Sequence, residues 1–162
     1  MPRWTPLKAD VLDSLAEEFL HNYATGRTLL AVDGIDGAGK TQFADALADA
    51  LRGKGHAVIR ASIDGVATDR IREALVGPFR RGEVLSPDLG DAAGVPAGSD
   101  ATLIVVGGAL DDPETRGLWN WSVWLDDTQG GRAAESSRRA SASAIVDNSD
   151  WDHPRRVFAD SC

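Results

Sequence analysis

Among 162 residues there is one cysteine, and it is the last, Cys162. No internal disulfide can form, which fits a reducing cytoplasm. A free terminus also gives that thiol no fixed environment for catalysis. Basic character is scarce: 17 Lys and Arg against 25 Asp and Glu leave a net charge of -8. A nucleic acid or an anionic membrane would meet no broad basic face, so neither is expected as a main partner. No apolar run approaches the roughly 20 residues of a membrane span, and the N-terminus lacks a signal-peptide pattern. A cytoplasmic location is the expectation. His21, His56 and His153 are scattered without metal-ligand spacing, and no Ser-His-Asp pattern emerges. There is no internal repeat. The length suits a single domain over 1–162, with a sizeable core.

What is present is a glycine-rich run, Gly34-Ile35-Asp36-Gly37-Ala38-Gly39-Lys40-Thr41, which fits the phosphate-binding pattern G-x-x-x-x-G-K-[ST]. Each part has a physical role. The glycines let the backbone curl so that successive N–H groups converge on an anion. The helix after the loop adds free N–H groups and the positive end of its dipole. Lys40 can bridge the β- and γ-phosphates of a nucleotide, and the Thr41 hydroxyl can ligate Mg²⁺. The flanks agree with the motif. Thr28 to Val32 is an apolar run of strand formers, and Phe43, Ala44, Leu47, Ala48 and Leu51 recur at helical spacing before Gly53 and Gly55.

The remaining pattern alternates strands and helices. An amphipathic helix is expected over Pro6 to Tyr23, with Leu7, Val11, Leu15, Phe19 and Leu20 on one stripe. A second strand over Ala57 to Ile63 ends at Asp64-Gly65. A short helix over Thr68 to Val76 is expected to stop at Gly77-Pro78. Residues 86–100, rich in Gly, Pro, Ala and Asp, read as a long mobile loop. A third strand, Ala101 to Val106, precedes Gly107-Gly108. Pro113 to Leu118 suits one or two helical turns. Trp121 to Leu125 forms a fourth strand, ending at Asp126-Asp127. Gly130 to Ser143 suits a polar helix, Ala144 to Val146 a fifth strand, and Pro154 to Phe158 a terminal helix. The pattern implies a three-layer α/β/α domain of the P-loop type with a five-stranded parallel sheet. Loops after the strand C-termini gather on one edge, where such sheets bind ligands. Trp121 and Trp124, an odd number of positions apart, should face opposite sides of that sheet.

Several side chains on that edge are candidates for chemistry. Asp64 is placed to accept a proton from a substrate hydroxyl or to help hold a metal; an Asx-turn before Gly65 is an equal alternative. Asp36, inside the loop, points to solvent or to substrate. Asp33 reaches a metal-bound water or makes a turn. Arg132, Arg138 and Arg139 lie between the fourth and fifth strands, where arginines can close over phosphates; a solvated helix face is the plainer alternative. Arg155 and Arg156 read as helix surface.

The stretch Ala31 to Ala44, which contains the whole glycine loop, resembles the uridine kinase-like P-loop kinases common in actinobacteria. Arg60-Ala61-Ser62-Ile63-Asp64 is similar to that family's second strand, Leu118 to Asp126 to its fourth, and Ala144 to Asp150 to the segment before its adenine-side loop. The resemblance implies ATP and Mg²⁺ as cofactors. Gly34, Ile35, Asp36, Gly37, Ala38, Gly39, Lys40, Thr41 and Gln42 would hold the nucleotide phosphates. Thr41 and Asp64 would serve the metal, and Asp64 would also orient or deprotonate the acceptor. The Arg132 to Arg139 segment would stand for the lid, and Asn148 would lie near adenine. The chain departs from the family where Gly65-Val66-Ala67 comes after Asp64, where Gly107-Gly108 replaces an acidic residue and glycine, and where the acceptor insert and the lid are short.

The expected activity is transfer of the ATP γ-phosphate to a hydroxyl of a small molecule, with a nucleoside such as uridine as the family-based acceptor. Two alternatives stand beside it: a kinase of a different small acceptor, and a degenerate nucleotide-binding module with a regulatory role. A bare ATPase or GTPase is disfavoured, because Leu103 to Gly108 lacks the acidic residue expected for the metal.

Overall fold

The computed structural model describes residues 7–35, 37–83, 85, 98–110, 113–127 and 137–157. Most of the loop expected over 86–100 and the first half of the helix expected over 130–143 lie outside them. The elements in chain order are α1 (Lys8–Tyr23), β1 (Arg27–Gly34), α2 (Lys40–Gly53), β2 (Ala57–Ser62), α3 (Thr68–Arg70), a π-helical segment (Ile71–Val76) and α4 (Gly77–Arg80). Next come β3 (Ala101–Val106), α5 (Pro113–Arg116), β4 (Trp121–Asp126), α6 (Ser137–Ser141), β5 (Ala144–Asp147) and β6 (Arg155–Val157).

The strands form one six-stranded sheet in the order β2-β3-β1-β4-β5-β6. All neighbours are parallel except β5 and β6. β1 is central, flanked by β3 through Leu30↔Ile104 and by β4 through Leu30↔Trp121. β3 and β4 are buried at every position, as expected for strands covered on both faces.

Alternation sorts the side chains into two cores. Leu30, Val32, Ile104, Val106, Trp121, Val123 and Leu125 pack with α1 and α2. Leu29, Ala31, Leu103, Val105, Trp124 and Ile145 pack with Ile71, Leu75, Phe79 and Trp119 on the other side. Trp121 and Trp124 thus fall on opposite faces, as their spacing requires. Phe19 of α1 meets Trp121 with ring centroids 5.8 Å apart. Lys54, just past α2, ties back to α1 through Asp13 at 2.8 Å and Glu17 at 3.4 Å.

Two elements differ from the sequence-based expectation. The helical stretch after β2 does not stop at Gly77-Pro78. Proline has no N–H and its ring collides with the carbonyl four residues back in an α-helix. The chain widens its turn instead: Gly77 N–H donates to Arg72 O, five residues back. A Cβ at Gly77 would lie 3.1 Å from that same oxygen, so glycine suits the widened turn. The gain is burial of Leu75 and Phe79, both fully inaccessible. At the other end, the helix expected from Pro154 is the strand β6. His153 N–H donates to Asp150 O at 3.1 Å, and Asp150 Oδ1 accepts Asp152 N–H at 3.1 Å. This turn sends the chain back antiparallel to β5, with Arg156 opposite Val146. Arg156 then pairs with Glu18 of α1, its Nη2 donating to Oε1 at 3.0 Å. The sheet therefore has six strands where five were expected.

At the opposite edge of the sheet from the strand C-termini, Thr28 and Thr102 are register partners whose hydroxyls lie 2.9 Å apart. His56 Nε2 adds a 2.7 Å contact to the Thr102 hydroxyl. Burial pushes the His56 pKa below its ordinary value, against a smaller opposing pull from Asp100. The folded state therefore favours neutral imidazole. That stability is fully present above the unfolded value of about 6.5 and is lost as pH falls below it toward the folded value. Between pH 7.5 and pH 5 the urea midpoint should consequently fall further for the wild type than for His56→Gln. Equal falls would remove His56 from the acid response.

Candidate active site

The loop between β1 and α2 is shaped by packing at one end and by left-handed glycines at the other. A Cβ on Gly34 would come within 2.6 Å of Leu125 O in β4, so residue 34 must be glycine for the two strands to approach. Gly37 and Gly39 have φ of 83° and 78°, a region that residues with a Cβ rarely adopt. Ala38 N–H closes the turn on Ile35 O at 3.2 Å, and Ile35 N–H reaches Leu125 O at 3.4 Å. Gly39 caps α2 with no side-chain hydrogen bond. The first amides of a 14-residue helix are thus left to the loop's concave side, the arrangement that attracts phosphate. Thr41 and Gln42 are exposed on the first turn of that helix. Asp36 lies outside the described residues.

Asp33 organises the base of the loop. It is 1% exposed. Its Oδ1 accepts Gly34 N–H at 2.8 Å, and Oδ2 accepts Leu110 N–H at 2.9 Å. Lys40 Nζ lies 4.0 Å from Oδ1. One buried carboxylate therefore steadies the loop's lysine, the first glycine and the turn after β3. The sequence marks Asp33 but not the link to Leu110, which spans 77 positions and leaves no local signal.

Asn148, at the end of β5, is expected by resemblance beside adenine. Its side-chain amide donates to Ala38 O at 2.8 Å, while its own N–H reaches Asp126 O at 2.9 Å. A Cβ on Gly39 would lie 3.2 Å from that amide nitrogen. Asn148 is thus a clamp on the loop backbone at the Ala38 carbonyl.

Asp64 is exposed just beyond β2. That strand is two places from β1, or about 10 Å at roughly 4.8 Å per strand. Both its backbone and its carboxylate lie against Gly107, just past β3. A Cβ on Gly107 would meet Asp64 Oδ1 at 2.8 Å and Asp64 N at 2.9 Å, and Gly107 has φ +132°. The missing acidic residue at the end of β3 and the position of Asp64 are thus one fact: a side chain at residue 107 would displace the Asp64 carboxylate. Beside it lies a cavity of about 260 Å³ lined by Ile63, Asp64, Val66, Thr68, Ile71 and Thr115, with Gly65 and Gly108. Thr68 and Thr115 carry no sequence signal for a site.

The remaining strand-end carboxylates are engaged. Asp126, 2% exposed, accepts Trp124 Nε1–H at 2.8 Å and Arg139 Nε–H at 2.9 Å. Arg139 therefore secures α6 to the sheet. Asp147 accepts Ser149 N–H at 3.0 Å, and Arg155 comes within 3.9 Å. Arg132 lies outside the described residues. Arg138 falls in α6, and its side chain is outside them too. Among the described residues no group of three or more His, Cys, Asp or Glu side chains could hold a metal. The Thr41 hydroxyl, exposed on the first turn of α2, is a side-chain oxygen that could meet a metal ion carried on a phosphate. No described helix is long and apolar enough to cross a membrane.

The clamp generates a prediction. Asn148→Ala strips the buried Ala38 carbonyl of its donor, which should lower stability by about 1–3 kcal/mol in urea denaturation and weaken Mg-ATP binding in calorimetry. Wild-type values for both would show that the amide does not hold the loop.

No protein-family model matches the chain, and no curated protein sequence matches it. Its likenesses are structural. A solved structure of a possible uridine kinase from Bacillus stearothermophilus superposes with a TM-score of 0.59 at 19% identity, covering 75% of this chain and 83% of that one. A candidate fructose transport system kinase from a Silicibacter species gives 0.45 at 20% identity, over 80% and 87% of the two chains. The chain thus shares the fold of the first of these structures, a mostly parallel α/β sheet with helices packed on both faces.

Proposed function

We propose that this protein transfers the γ-phosphate of ATP to a hydroxyl group of a small molecule. The observation that carries the reading is the pairing of an α2 N-terminus without a side-chain cap, beside Lys40, with an exposed carboxylate, Asp64, that lies against Gly107 at the same sheet edge. Phosphoryl transfer requires those two things: a fixed phosphate and an oriented nucleophile. The kinase-like fold supports it.

Each residue then has a task. The amides of Gly34 to Gln42 and the Lys40 ammonium grip the phosphates, with Asp33 holding Lys40 in register. The Thr41 hydroxyl would meet a Mg²⁺ carried on the nucleotide, an ion that would supply charge neutralisation on the phosphates. Asp64 accepts the acceptor hydroxyl's proton as its oxygen bonds to the γ-phosphorus and the bridge to ADP breaks. Arg132 and Arg138 are proposed to serve the lid. A nucleoside such as uridine is the acceptor suggested by resemblance. The second reading is a nucleotide-binding module without transfer. It is favoured by one feature, the absence of a carboxylate on Gly107-Gly108 at the end of β3.

ADP release from Mg-ATP, measured with and without hydroxyl compounds, separates the two. Stimulation by an acceptor supports a kinase; saturable Mg-ATP binding with no stimulation by any acceptor supports the module. Lys40→Ala should weaken Mg-ATP binding on the order of ten- to a hundred-fold, the loss of a charge-assisted contact; unchanged affinity would contradict the loop's role. Asp64→Asn should keep Mg-ATP affinity while slowing transfer by about 10²–10⁴-fold, the range for a general base. A near-normal rate would remove Asp64 from catalysis.

A further inference from the structure

Arg60 is buried in β2 at a place where an apolar side chain would serve the packing. Alternation along the strand sends Ile59 and Ala61 into one core and Val58, with Arg60, toward α2 on the other face. There the arginine is 8% exposed. Its charge is met by Asp45 of α2, a side chain 60% exposed, with Nη1 donating to Oδ1 at 2.5 Å. Its Nε is buried without a hydrogen-bond partner among the described residues. Taking a guanidinium out of water is costly, and well-packed apolar side chains in place of a buried ion pair are commonly as stable. Core stability alone therefore does not account for an arginine here.

A second contact does. The same Nη1 also donates to Thr41 O, at 3.4 Å. Residues 41 and 45 lie one turn apart on one face of α2. One nitrogen, carried on β2 opposite Ile104, thus holds the helix at two successive turns. The first of them is the turn in which the glycine loop ends. The loop's other supports act earlier in the chain: Asp33 on Gly34 and Lys40, Leu125 on Ile35, and Asn148 on Ala38. Arg60 acts on Thr41.

Resting on the reading of the loop as an ATP site, we infer that Arg60 is a positioning residue. It seats the first turn of α2 on the sheet and so places the Thr41 hydroxyl for a Mg²⁺ carried on the nucleotide. The held carbonyl and that hydroxyl belong to one residue, so a shift of the turn moves both. The glycine-loop amides and Lys40 have supports of their own. Loss of Arg60 should therefore fall chiefly on the metal-dependent part of nucleotide binding.

Calorimetric affinity for ATP, measured with excess Mg²⁺ and again with EDTA, gives the gain that the metal brings. Thr41→Ala sets the scale of its loss. Two substitutions are compared at residue 60. Arg60→Met removes both contacts and keeps an unbranched apolar stem. Arg60→Lys keeps a cation, but its ammonium ends one bond short of Nη1. Asp45, an exposed side chain, can follow it; Thr41 O, fixed in the helix, cannot. We expect both variants to lose about five- to ten-fold of the metal gain, the scale of coupling within one contact network, with affinity in EDTA kept within about two-fold. A wild-type gain in either folded variant overturns the inference. So does an equal loss with and without Mg²⁺, which would mark Arg60 as a general support of the fold. A wild type that gains nothing from Mg²⁺, or a Thr41→Ala protein that keeps the gain, also overturns it and leaves the loop standing as a phosphate site. A wild type that does not bind ATP at all overturns the kinase reading and the inference together.

Discussion

β1 and β4 meet so closely at their C-terminal ends that residue 34 has no space for a side chain: a Cβ would sit 2.6 Å from Leu125 O. Much of the site stems from that approach. The chain must leave β1 at once, and Ile35 N–H is held on the same Leu125 oxygen. It turns through left-handed glycines at 37 and 39 and enters α2 with its first amides uncapped. Asp33 below and Asn148 beside the loop keep this curl from relaxing, one through Lys40 and Leu110, the other through the Ala38 carbonyl. The loop's shape is therefore set by backbone geometry, and its supports come from β4 and from the turns after β3 and β5.

The parallel strands are legible because each is a short apolar run ended by Gly or Asp, and the opposite faces of Trp121 and Trp124 are set by strand periodicity alone. Two elements are not legible, and both turn on proline. Pro78 reads as a stop, yet a π-turn tolerates it because the burial of Leu75 and Phe79 outweighs a distorted hydrogen bond. Pro154 reads as a helix start, yet the turn at Asp150 to His153 has already reversed the chain, and pairing with β5 and Glu18 makes the next segment a strand. Tertiary partners override local preference in each case.

Within the site, the glycine loop is readable as a contiguous motif, whereas its supports are long-range. Resemblance alone puts Asn148 beside adenine; its contact with Ala38 crosses 110 positions. Gly107 looks in sequence like a lost carboxylate, and its meaning emerges only in space, where Asp64 occupies the volume a side chain would need. Arg139, a candidate for the phosphates, is engaged with buried Asp126 beside Trp124. The cavity beside Asp64 is lined in part by glycine and threonine, residue types that announce no chemistry in a sequence.

The central claim is that this loop recognises phosphate through its backbone and Lys40. The most direct measurement is the calorimetric affinity of the protein for Mg-ATP, Mg-ADP, AMP and adenosine, with inorganic triphosphate as competitor. The account predicts that affinity falls as phosphates are removed, that adenosine retains little of it, and that triphosphate displaces ATP. Adenosine binding as tightly as Mg-ATP, with triphosphate failing to compete, would contradict it.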